Sequence, residues 1–402
     1  MLNKNKLISF FIVLTLMSLN AAIANTTDSL QLIQILKDDI DGVDGLGNPR
    51  NVKVLTDNSR VFVSSGDDNA FAIFNLDNDF YLTLSEVFKN SSMNVSGLEG
   101  ASGVAYLEES KQAVVTAFYD GALTRFSLNN NVYQLSETIS DGISYEQVFN
   151  SNEPINELDH FALLGAWDVI KTLDDKQLFV ASYMSNAVAI FDIGADGKIL
   201  FNRAVKDAKP LEIDLGKPIS LAFSPRNDEL YILGFDSNQL TIFERNNKGE
   251  LLVKQVVKNG VSGVEQFVNP QKIVVSPKGK FLYVACSGSS SVVVFRKLNT
   301  GKYEFWQVID NSNVGGSGLD GASSIAISSD GSKVYAAGEA GIGLHMFSVG
   351  VDGKLNYTDK LLSARGNQIK SISSITLTKD NQHLLVATGK ANSLFVFKIS
   401  SK

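Results

Sequence analysis

Seven apolar runs that close on a phenylalanine recur along the chain: Ala70-Phe-Ala-Ile-Phe74, Ala122-Leu-Thr-Arg-Phe126, Val188-Ala-Ile-Phe191, Leu240-Thr-Ile-Phe243, Val292-Val-Val-Phe295, Leu344-His-Met-Phe347 and Leu394-Phe-Val-Phe397. Their phenylalanines are 52, 65, 52, 52, 52 and 50 residues apart. A second column about a dozen residues upstream, Phe62, Val114, Phe179, Tyr231, Tyr283, Tyr335 and Leu385, repeats the same intervals. Two columns that share one irregular spacing define tandem units, and the interval of 65 marks a 13-residue insertion in the third.

Each unit reads as four short strands, a to d in chain order. In the fifth, Lys272 to Ser276, Phe281 to Cys286, Val292 to Arg296 and Tyr303 to Ile309 are apolar or alternating runs separated by turn residues. Ser224-Pro-Arg-Asn227, Ser328-Ser-Asp-Gly331 and Thr378-Lys-Asp-Asn381 fill the same a-to-b turn with residues that tight turns select. Such a sheet cannot bury both faces alone. Seven of them stacked around an axis make an all-β, seven-bladed β-propeller of four-stranded antiparallel blades. The last unit ends after its third strand, and Leu30-Gln-Leu-Ile-Gln-Ile-Leu36 resembles the outer strands elsewhere. The expectation is that this N-terminal strand completes the last blade and removes an open sheet edge, so that residues 25–402 form one domain.

The segment Ser276-Pro-Lys-Gly-Lys-Phe-Leu-Tyr-Val-Ala285, with looser copies at Ser224 to Ile232 and Ser329 to Tyr335, resembles the S-P-D-G-x-x-x-Y-V signature of lactonase-type, YVTN-repeat propellers. Ser96-Gly-Leu-Glu-Gly-Ala-Ser102 and Ser317-Gly-Leu-Asp-Gly-Ala-Ser323 are similar to a loop of exported members of that group. The resemblance implies the propeller fold and permits lactone hydrolysis or a related isomerisation. These motifs consist of turn and core residues, which enzymes and binders share.

Charge and cysteine narrow the partners. With 36 Lys and Arg against 43 Asp and Glu, the net charge of −7 lacks the basic stripe that a phosphate backbone demands, so no nucleic-acid partner is expected. The single Cys286 cannot form an intramolecular disulfide and reads as a small buried hydrophobe. At the N-terminus, Lys4 and Lys6 precede the apolar run Leu7 to Leu19, and Ala22-Ile-Ala24 has the small-x-small pattern of a signal-peptidase site. Residues 1–24 therefore read as a signal peptide, with a periplasmic or secreted product and no membrane span after cleavage.

The repeat register also names a ring at the start of each inner strand, where ligands of propellers meet the protein. Arg50, Ser102, Trp167, Ile219, Gln271, Ser323 and Ser373 share one position, and Asn51, Gly103, Asp168, Ser220, Lys272, Ser324 and Ser374 the next. Glu99, Asp320 and Lys370 lie just upstream. The ligand-binding candidates are Trp167, Gln271, Lys272, Glu99, Asp320 and Lys370, a mixture suited to a small polar or anionic molecule. The insertion, residues 141–160, carries His160 eight residues before Asp168. If the protein is an enzyme, His160 is the candidate general base, with Asp168 and Arg50 binding a carbonyl or carboxylate; otherwise His160 packs a lid and Trp167 plugs the channel. Paired-histidine zinc motifs, cysteine clusters, phosphate loops and nucleophile elbows are missing from the sequence. Asp38-Asp-Ile-Asp-Gly-Val-Asp44 reads as turn capping, and no metal or cofactor is expected. The sequence alone puts first an exported binding scaffold that holds a small polar ligand, glycan or protein on the channel-mouth face. The alternative is a lactone hydrolase resembling 6-phosphogluconolactonase.

Overall fold

All seven units fold as four-stranded antiparallel sheets; in six of them the strands run from the channel outward in chain order, and in the seventh the outermost strand comes from the N-terminal end. The computed structural model describes residues 29–400 apart from 93, 144, 151–154 and 207–213. The signal-peptide segment, residues 1–24, lies outside the described residues. The fifth blade comprises Pro270–Val275, Phe281–Cys286, Ser291–Lys297 and Tyr303–Asp310, close to the strands expected from the sequence. Its second strand is apolar at every position because neighbouring blades cover both of its faces, and five of its six residues are buried. Outer strands such as Leu251–Lys258 face solvent and are mostly exposed or half-buried.

The core lies between blades. One cluster joins Tyr283 and Val294 of the fifth blade to Ile325, Val334 and Phe347 of the sixth. Removing such apolar area from water is the main term that holds neighbouring sheets together. The ring closes as the sequence predicts: Ser29–Lys37 pairs antiparallel with Ser393–Ser400, with Leu32 opposite Phe397 and Leu36 opposite Leu394. The N-terminal strand is the fourth of the last blade. Leu36, 5% exposed, packs in a cluster that includes Val61 of the first blade and Leu394 of the seventh.

The recurrent asparagines before the third strands do more than turn the chain. Asn69, Asn186, Asn238 and Asn392 have φ of 51°, 49°, 52° and 49°, a left-handed conformation that asparagine tolerates better than most residues. Each also accepts, through its side-chain oxygen, a backbone N–H from the next blade: Gly100 at 2.7 Å, Lys217 at 2.7 Å, Asn269 at 2.7 Å and Asn48 at 3.0 Å. The last of these joins the seventh blade to the first. In the insertion, where the sequence suggested only a long loop, the helix α1, Tyr145–Asn150, is followed by a single turn, Ile155–Leu158.

Candidate functional site

The channel face is shaped by one irregularity repeated seven times. Pairing between the first and second strands of each blade skips the residue after the first, and in the second blade it skips two. The skipped residues are Arg50, Ser102 with Gly103, Trp167, Ile219, Gln271, Ser323 and Ser373. A bulge turns its extra side chain away from the ladder. Here all seven blades turn theirs onto one cavity, which Asn51, Asp168, Lys272 and Glu339 also line. Its volume is about 80 Å³, well below the ~300–1,000 Å³ of a pocket that swallows its ligand. The cavity therefore admits waters and one protruding group, while the bulk of any ligand rests at the mouth.

Arg50 is held from two sides. Its guanidinium carbon lies 5.2 Å from the centre of the Trp167 ring, and Nη1 donates to the Gly100 carbonyl at 3.3 Å. Gly66 makes room for it, since a Cβ there would meet Arg50 Nε at 2.2 Å. Trp167 is positioned by the second blade. Ser102 Oγ donates to the Ala166 carbonyl and Thr116 Oγ1 to the Trp167 carbonyl, both at 3.0 Å.

Asp168, 5% exposed, is fully engaged. Its carboxylate accepts from Leu221 N at 3.0 Å and Ser220 Oγ at 3.2 Å, and Lys272 Nζ lies 3.2 Å away. Ser374 does the same for the first blade, accepting from Val52 N at 3.1 Å. Both side chains satisfy a backbone N–H beside the next bulge. Asp168 is thus fixed between the third, fourth and fifth blades, and with Lys272 it forms an ion pair on the cavity wall.

Glu339 was not singled out in the sequence. It directly follows the second strand of the sixth blade, where its N–H donates to the Gly321 carbonyl at 3.2 Å. The corresponding residue donates to the same loop carbonyl in every blade, including Gly66, Phe118, Tyr183 and Phe235. Glu339 is exposed at the mouth; the channel wall removes part of the water around its carboxyl and raises it above the usual carboxylate range, while the positive charges of Arg50 and Lys390 oppose the shift. A carboxylate whose pKa moves toward neutrality is a better general base.

The structure brings together Arg50, Asp168, Trp167, Gln271 and Lys272, and leaves four candidates outside the cavity lining. His160 is exposed and lies outside this lining, near Asp141. Asp159 is tied to Lys206 at the end of an outer strand and Phe161 N donates to Asp141 at 3.0 Å, so the segment turns inward only after His160. Of the expected group His160, Asp168 and Arg50, the last two line the cavity and His160 does not. Asp320 is occupied in capping its own loop, accepting from Asn311 Nδ2 at 2.8 Å and Gly318 N at 3.1 Å. Glu99 and Lys370 are exposed one turn before the bulges, with Glu99 N donating to Asp120 at 2.8 Å. The carboxyl oxygens of Asp38, Asp39 and Asp44 lie within 4.8 Å of one another, and Lys89 Nζ is 2.6 Å from Asp44.

Comparison with known proteins bears on both fold and chemistry. The family described as "Lactonase, 7-bladed beta-propeller" matches residues 132–402. A 6-phosphogluconolactonase of Serratia proteamaculans is 28% identical over 184 residues, 45% of this chain and 52% of that protein, so the match spans about half of the curated relative. The crystal structure of a putative 6-phosphogluconolactonase from Bacteroides uniformis superposes with a TM-score of 0.64 at 16% identity, covering 84% of this chain and 91% of the other. The periplasmic gluconolactonase of Pseudomonas aeruginosa gives 0.61 at 15%, covering 81% and 86%. At such identities the structural likeness speaks to the fold. Together the comparisons favour the lactonase alternative over the binding scaffold that the sequence alone put first.

Proposed function

Because the chain belongs to the lactonase family of seven-bladed β-propellers, we propose that it hydrolyses a sugar-type lactone at the channel mouth. The observation that carries the proposal is that Arg50, held in place by Trp167 and the Gly100 carbonyl, and the Glu339 carboxylate line one small cavity. The lactone carbonyl enters the cavity and the sugar body stays above it. Glu339 takes a proton from a water as that water attacks the carbonyl carbon, and Arg50 hydrogen-bonds the carbonyl oxygen as negative charge gathers there. Collapse of the tetrahedral intermediate breaks the ring C–O bond. The departing oxygen takes the proton back from Glu339 and the product is the open hydroxy acid.

The relatives named above supply the substrate class, a gluconolactone with or without a 6-phosphate. The signal-like residues 1–24 and the periplasmic gluconolactonase among the similar structures support an exported protein, which favours the unphosphorylated lactone. The test is hydrolysis of glucono-δ-lactone and 6-phosphogluconolactone by the purified protein. Glu339→Gln is expected to lower kcat/KM by about 10²-fold or more, with His160→Ala unchanged. Failure to hydrolyse either lactone above the spontaneous rate overturns the proposal. A Glu339→Gln protein with full activity overturns the assignment of the base.

A further inference from the structure

The channel mouth is two-sided. Over the second, third and fourth blades the residue after the second strand is Phe118, Tyr183 and Phe235, whereas the fifth, sixth and seventh carry Ser287, Glu339 and Gly389. The aromatic side is continuous with the cavity through Trp167, whose ring meets Phe118 edge-on at 5.8 Å. Phe118 lies 6.2 Å from both Tyr183 and Tyr145, Tyr183 lies 6.2 Å from Phe235, and Tyr145 meets Tyr119 at 5.2 Å and Phe149 at 4.9 Å. Tyr145 and Phe149 sit four residues apart on α1, which places both on one face of it. Tyr119, Tyr145 and Phe149 are 36%, 38% and 61% exposed. A short helix that spends its aromatic residues on solvent beside the aromatic residues of three successive blades is not explained by packing of the propeller.

We infer that this strip is a binding platform for a neutral, linear oligosaccharide of hexopyranose units, running from α1 toward the channel. Pyranose rings present C–H bonds on a face and hydroxyls around the rim. The faces suit aromatic rings, and the hydroxyls suit the polar groups interleaved with them: the Tyr119, Tyr145 and Tyr183 hydroxyls and the Asp120 and Asp236 carboxylates nearby. Successive ring centres separated by 4.9 to 6.2 Å, edge-on or tilted to one another, offer repeated contact positions instead of one pocket. A protein partner is disfavoured by size, because a handful of rings falls far short of the ~800 Å² per side of a stable protein interface. A phosphorylated or otherwise anionic chain is disfavoured because the Asp120 and Asp236 carboxylates flank these rings. The platform is independent of the hydrolytic chemistry assigned to Arg50 and Glu339.

The test is calorimetric titration of the full-length protein with cellohexaose and maltohexaose, with glucose as the single-unit control. One hexaose is expected to bind at least tenfold more tightly than glucose. Phe149→Ala and Tyr145→Ala should each weaken binding about tenfold, Phe149→Tyr should restore it, and Glu339→Gln should leave it unchanged, so that a failure of the lactonase reading does not carry over. Absence of binding to both hexaoses, or binding that survives both alanine variants, overturns the inference. So does a concentration-dependent dimer abolished by Phe149→Ala, which would assign the strip to self-association.

Discussion

Replacing His345 by leucine should flatten the acid sensitivity of the fold. His345 lies on the third strand of the sixth blade, Leu344–Val349, is 0% exposed, and neither ring nitrogen has a hydrogen-bond partner among the described residues. Burial lowers its pKa from 6.5 to about 4, with the nearby Lys360 charge adding to the shift and Asp320 opposing it. The unfolded chain takes up a proton as pH falls through 6.5, while the folded chain refuses it until about 4. Stability is therefore lost with falling pH across that window at ~1.4 kcal/mol per pH unit, or about 3 kcal/mol in all. Urea unfolding at fixed ionic strength from pH 7 to pH 4 reads the slope. His345→Leu should lose about 3 kcal/mol less than the parent across the window and stay within about 2 kcal/mol of it at pH 7, because the imidazole forfeits no hydrogen bond there. Parallel curves for the two proteins would refute the account of a neutral, partnerless imidazole.

Gly66→Ala should displace the Arg50 guanidinium, whose Nε lies 2.2 Å from the new methyl position, and lower lactone kcat/KM by about tenfold or more with an unchanged circular dichroism spectrum. Asn238→Ala should cost about 2 kcal/mol in urea unfolding, combining left-handed strain with a lost inter-blade hydrogen bond, and Asn238→Gly about half of that. Deleting residues 29–37 should remove at least the ~1.5–3 kcal/mol carried by buried Leu36 and cause concentration-dependent aggregation through the bared strand, measurable by light scattering. Lys272→Ala should destabilise the fold by leaving Asp168 buried without its counter-charge, and adding Asp168→Asn should recover most of the loss in thermal melts.

Architecture was legible because blades must repeat their core and turn residues to stack, and repetition is visible without homologues. The same register named the bulge ring, since equivalent positions fall at equivalent places on the axis. It does not place His160, which stands eight residues before Asp168 beside the ion pair between buried Asp159 and half-buried Lys206. It missed Glu339 because only the start of the inner strand was aligned, not the residue after the second strand. The column Phe118, Tyr183, Phe235 was present in the same register, but its meaning depends on α1, a six-residue helix too short to show a period of its own.

The seam in the seventh blade sets an order of events during synthesis. Ser29–Lys37 leaves the ribosome first yet finds its partner only when Ser393–Ser400 follows, so every other blade can form before the circle is shut. Until then Ser29–Lys37 has no partner, and Ser393–Ser400, once paired with His383–Thr388, presents an open edge. Anything that holds the nascent chain in that interval governs whether the wheel locks on itself or on a neighbour.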